Sequence, residues 1–68
     1  MPKEKVLVYS TNKSYQAGLL KNILNDNDIP SFIIDKQDSA YLFGDVEVYV
    51  YADDFLRAKS LTEKFEET

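Results

Sequence analysis

Between Val46 and Phe65 the hydrophobic period changes from two residues to that of a helix, with no loop in between. Val46, Val48 and Val50 alternate with Glu47, Tyr49 and Tyr51. All but Glu47 are β-branched or aromatic, which specifies a strand with two chemically distinct faces. From Phe55 the spacing becomes helical. Phe55, Ala58, Leu61 and Phe65 share one side, with Leu56 and Thr62 on its flanks. Asp53 stands where a helix N-cap is needed, and Asp54 adds charge that favours the helix dipole. Lys59 and Lys64 lie toward the opposite, negative end of that dipole.

The preceding residues supply a second strand–helix unit. Val6-Leu7-Val8-Tyr9 reads as a short strand with a charged lead-in from Lys3 to Lys5. Ser10-Thr11-Asn12 offers three consecutive helix caps, of which Thr11 or Asn12 is favoured. Tyr15, Leu19, Ile23 and Leu24 then form an apolar stripe, widened by Leu20. Gly18 lies inside this helix at a cost of about 1 kcal/mol against alanine, which suggests a close approach to the sheet or the other helix. Asn25-Asp26-Asn27-Asp28 ends the helix, because these side chains compete for backbone hydrogen bonds. Pro30 forces Ile29 into an extended conformation, and Ser31 to Asp35 form the next strand. Residues 36 to 45 connect it to Val46.

The order is β-α-β-β-α in one α+β domain spanning residues 1–68. The first strand, its helix and the second strand make a right-handed parallel crossover. The link from the second strand to the third makes an antiparallel pair. With the third strand inserted between the other two, the sheet is antiparallel, three-stranded and of order 2-3-1. Both helices then cover one face, as in the split β-α-β arrangement of ferredoxin-like folds.

The residues that are missing narrow the chemistry. The chain has no cysteine and no histidine, so it has no disulfide, no thiolate nucleophile, no imidazole base and no common zinc ligand. Its net charge of −4 opposes a phosphate backbone or an anionic membrane as partner. No apolar run reaches the length of a membrane span. Met-Pro-Lys-Glu-Lys lacks the apolar core of a signal peptide, so the cytoplasm is the expected location.

Three groups of residues are candidates for a site. Asp35, Asp38 and Asp45 bracket the long connection, but their spacing fits no calcium loop and turn chemistry accounts for them. Asp53 and Asp54 diverge on a helix and have no partner base, so capping suffices to explain them. The third group is aromatic. With the valines of the third strand against the helices, Tyr49 and Tyr51 stand on the open face of the sheet. If Val6 and Val8 are buried, Leu7 and Tyr9 join them; if Phe32 and Ile34 are buried, Ile33 does too. A one-residue slip in the first strand would exchange its faces. Contiguous large side chains of this kind mark a contact surface. Aromatics on an open sheet also serve RNA recognition, but the acidic balance and the missing basic-aromatic motif oppose that.

Ile29-Pro30-Ser31-Phe32, the loop ending at Gly44, the run Val46-Glu47-Val48-Tyr49-Val50, and Asp53-Asp54 with Ala58 together resemble a small bacterial family of unknown function. That family is labelled a "putative prokaryotic signal-transducing protein". The resemblance spans nearly the whole chain and implies a ferredoxin-like α+β fold with a loose connection to signalling. Its motifs are structural, and no catalytic residue comes with them. The tyrosine-rich third strand and the single glycine at the loop end depart from the family pattern.

The expectation is a non-catalytic, cytoplasmic, bacterial protein-binding module, regulatory or signal-transducing, with no metal and no cofactor. Its binding residues would be Leu7, Tyr9, Ile33, Tyr49 and Tyr51, with Tyr41 and Phe43 at the rim. Two alternatives stay open. One is a homodimer through the open face or the edge of the first strand. The other is a small-molecule sensor with its ligand under the 37–45 loop.

Overall fold

The structure, a computed structural model, describes residues 3–36 and 45–66. Its elements are β1 (Lys5–Thr11), α1 (Ser14–Asp26), β2 (Ser31–Asp35), β3 (Val46–Tyr51), a 3-10 turn (Ala52–Asp54) and α2 (Phe55–Glu66). The three strands form one sheet in the order β1-β3-β2, with both pairings antiparallel. The central strand is the one with the strictest alternation. Val46, Val48 and Val50 are buried, while Glu47, Tyr49 and Tyr51 are half-buried. Both helices lie on the valine face. Ala17, Leu20 and Leu24 of α1 and Ala58 of α2 join the three valines and Ile29 in the core.

The buried side of α1 is rotated from the expected stripe. Ala17, Leu20 and Leu24 face the core, whereas Tyr15 and Leu19 are 62% and 51% exposed. Ile23 is half-buried. The small Ala17 lets the helix lie close to the sheet, so the helix packs on its narrowest side rather than its bulkiest. Gly18 does not mark a close approach, because a Cβ placed there would meet nothing within 4 Å. Gly18→Ala should therefore raise stability by about 0.5–1 kcal/mol, from helix propensity alone. Urea unfolding measures this directly, and a loss of stability would reveal a contact at that position.

The helix caps also differ from expectation. Lys13 is the N-cap of α1 and makes no side-chain cap bond. Thr11 acts from two residues earlier: its Oγ1 accepts the Lys13 N–H at 3.1 Å and donates to Gln16 Oε1 at 3.0 Å. Asp53 is not a cap, because the 3-10 turn begins at Ala52 and Tyr51 is its N-cap. Asp54 instead pairs with Arg57 at 2.8 Å.

The end of α1 decides how β2 lies. Asp28 takes a left-handed conformation with φ of 61°. The Asp28 N–H bonds the Asn25 carbonyl at 3.1 Å, and the Ile29 N–H bonds the Leu24 carbonyl at 2.9 Å. This is a Schellman motif, which brings the residue after the left-handed position against the last helical turn. Ile29 is accordingly buried beside Leu24. Counting on by two, Ser31 and Ile33 fall on the core side. They sit opposite Val50 and Val48, while Phe32 and Ile34 sit opposite Tyr49 and Glu47. The expectation for β2 is thus reversed: Ile33 belongs to the helix face, and Phe32 and Ile34 to the open face.

β1 changes face part-way along. Val6 pairs with Val50 and Leu7 with Tyr49, but Tyr9 pairs with Val48. Val8 is the extra residue of a β-bulge, and a bulge shifts the alternation by one. Tyr9 therefore turns to the helix side, where its ring meets Phe65 edge to face at 5.8 Å. Its expected place on the open face is corrected.

Candidate functional site

The face of the sheet opposite the helices carries Lys5 and Leu7 from β1, Phe32 and Ile34 from β2, and Glu47, Tyr49 and Tyr51 from β3. Alternation within each strand puts them there, and no described element covers them. Leu7 and Ile34 are 44% and 46% exposed. Of the residues expected at this surface, Leu7, Tyr49 and Tyr51 are present. Tyr9 and Ile33 face the helices, and Tyr41 and Phe43 lie outside the described residues. The sequence reading missed Phe32, Ile34 and the lysines. No local sequence pattern marks the face of Phe32, because it follows from the left-handed Asp28 and the burial of Ile29 against Leu24.

Two clusters occupy the face. In the first, Phe32 and Tyr51 meet edge to face, with centroids 5.2 Å apart at 75°. Lys5 Nζ lies 4.4 Å from the Phe32 centroid, and Lys3 Nζ lies 5.2 Å from that of Tyr51. Each ammonium sits within cation–π range of its ring. In the second cluster, Glu47 Oε1 accepts the Tyr49 O–H at 2.9 Å and an ion pair from Lys36 at 3.0 Å. The backbone supports this pair, since the Lys36 N–H bonds the Asp45 carbonyl at 3.1 Å.

The second cluster shifts all three protonation equilibria. The hydrogen bonds from Lys36 and Tyr49 hold the Glu47 carboxyl below the ordinary range. Lys36 is raised by its bond to the carboxylate and by the charge of Glu47. Tyr49 is raised by donating to Glu47 and by partial burial. A depressed carboxyl stabilises the fold above its unfolded pKa and loses that contribution as pH falls toward the folded value. The raised lysine and tyrosine contribute below their unfolded values and lose it as pH rises through the folded ones. Glu47→Gln should therefore flatten both limbs of the stability–pH curve relative to the native chain. Urea midpoints at acidic, neutral and alkaline pH test this; parallel curves would show that the cluster contributes nothing. Lowering the Glu47 pKa makes its carboxylate a weaker proton acceptor.

Among the described residues, no three acidic side chains gather as a metal site. Asp38, one of the three aspartates considered, lies outside those residues. No described helix is long and apolar enough to cross a membrane.

The sequence profile of a family described as "Putative prokaryotic signal transducing protein" matches residues 5–66. The chain belongs to this family. The match runs from the first residue of β1 to the last of α2, so the family unit coincides with the sheet and both helices. Neither the curated proteins nor the solved structures yield a match.

Proposed function

We propose that this chain is a non-catalytic interaction module of the bacterial cytoplasm, acting in signal transduction by binding a protein partner through its open sheet face. The observation that carries this reading is the Phe32–Tyr51 pair with Lys3 and Lys5 over its rings. Aromatic side chains offer large contact area with little ordering cost, and they are favoured binding anchors. On a chain of net charge −4, lysines gathered at one apolar face select for an acidic protein segment. The same net charge disfavours nucleic acid and anionic membrane.

Two variants test the surface. Lys3→Glu with Lys5→Glu reverses its charge and leaves every ring in place. Tyr49→Ser with Tyr51→Ser removes two of its rings. Both should fold, as judged by circular dichroism and urea unfolding, and both should lose a partner that the immobilised native chain captures from bacterial extract. Capture should also weaken with added salt. Capture unaffected by either double variant would dismiss this face.

Self-association through β1 is a second reading. Among the described residues no strand pairs with its outer edge, and an apolar cleft of about 400 Å³ lined by Val6, Leu7, Ala52 and Phe55 lies beside it. The bulge at Val8 and the lysine at the start of the strand are features that protect edges from pairing. Light scattering on a sizing column separates the readings: a monomer at high concentration removes the second. A ligand under the 37–45 loop concerns residues mostly outside those described.

A further inference from the structure

The open sheet face offers a partner side chains and no backbone groups. All three strands lie in one ladder, and the N–H and C=O groups of a ladder point along the sheet rather than out of its face. A segment that docks there must satisfy its own backbone, because buried N–H and C=O groups without partners are costly. An extended segment cannot do so on this face, whereas a helix can. The dimensions agree. From Glu47 to Tyr51 the central strand runs about 14 Å, which a helix of about nine or ten residues spans. The two outer strands lie about 10 Å apart across β3, close to the width of one helix with its side chains. The opposite face is already covered by helices, as layered folds require.

The charge on the face is uneven from end to end. At one end the Glu47 carboxylate is matched by Lys36 at 3.0 Å and by the Tyr49 hydroxyl at 2.9 Å. At the other end Lys5 and Lys3 lie over the rings of Phe32 and Tyr51. Among the described residues neither ammonium is paired with a carboxylate. Leu7 and Tyr49 pair between the two ends. The unmatched charge is thus positive and gathered at the Tyr51 end. Resting on the reading of this face as the binding surface, we propose that the partner segment is an amphipathic helix with its acidic residues at one end, laid along β3 with that end over Lys3 and Lys5. Its apolar residues, at i, i+3 or i+4, and i+7, pack on Leu7 and the rings, and its carboxylates complement the lysines.

Selection on the native chain from a library of random peptides of about 16 residues, long enough to form a helix, tests this. The Tyr49→Ser and Tyr51→Ser double variant serves as counter-selection. Enriched peptides should carry apolar residues at helical spacing, with Asp or Glu clustered at one end. Bound to the isotope-labelled chain, they should gain helical structure and give saturable NMR shifts at Leu7, Phe32, Tyr49 and Tyr51, with none at Tyr15 or Leu56. A central proline in such a peptide should weaken binding at least about tenfold. Replacing its acidic residues with their amides should weaken it about tenfold, and that loss should vanish in the Lys3→Glu with Lys5→Glu chain. Enriched peptides that bind this face with alternating apolar residues, or that tolerate the proline, overturn the helix and leave the sheet-face reading standing. No peptide surviving the counter-selection overturns both. A native chain that dimerises by light scattering, and loses the dimer in the tyrosine double variant, makes a second copy the occupant and overturns the proposal.

Discussion

Leu20→Ala should lower stability by about 2–5 kcal/mol, while Leu19→Ala should change it by less than about 0.5 kcal/mol. The two leucines are neighbours with the same side chain, so propensity and composition are matched. They differ only in direction. Leu20 is fully buried against the sheet, and Leu19 is half exposed beside Tyr15. Removing Leu20 loses its transfer free energy and leaves a cavity under the valines of β3. A domain of this size has roughly 3–10 kcal/mol to lose, so the Leu20 variant should be largely unfolded at modest urea concentrations. Equal losses for the two variants would mean that α1 packs on the broader Tyr15–Leu19 side.

Ile29→Ala should also cost about 2–5 kcal/mol, more than Phe32→Ala despite the smaller side chain. Ile29 is only 1% exposed and closes the Schellman motif against Leu24. Its loss should loosen both the end of α1 and the start of β2, seen as faster amide exchange at Ser31 and Ile33. Phe32 is half-buried on the open face. It should lose mainly its edge contact with Tyr51, worth about 0.5–1.5 kcal/mol, plus partial burial. A larger loss for Phe32 would restore the opposite parity of β2 and remove that ring from the binding surface.

Several features were legible without the fold. The valine–tyrosine alternation of β3 identified the central strand and both of its faces, and Tyr49 and Tyr51 stand where it placed them. The element order, the antiparallel sheet and its strand order followed from connection rules. These are local or topological properties, set by residue spacing and chain length. On α1 and β2 the longer side chains do not point inward, and on β1 the bulge at Val8 turns Tyr9 from the open face to the helix side. On α1, Leu19 and Tyr15 were preferred to Ala17. On β2, Phe32 was preferred to Ser31, whose buried Oγ finds no hydrogen-bond partner among the described residues. On β2 the phase follows from the left-handed Asp28 and the burial of Ile29 rather than from side-chain bulk.

By itself the sequence determined which segments are strands and helices, how they connect and which side of β3 meets the helices. Only the tertiary structure decided the faces of the two outer strands and the rotation of α1. An edge strand has one neighbour, so a bulge or a turn can change its phase at small cost while its local pattern stays the same. The bulge at Val8 took Tyr9 from the open face to the helix side beside Phe65, and the left-handed Asp28 sent Phe32 to the open face. Both changes of face come from backbone irregularities, because phase in an edge strand is set by what the chain packs against.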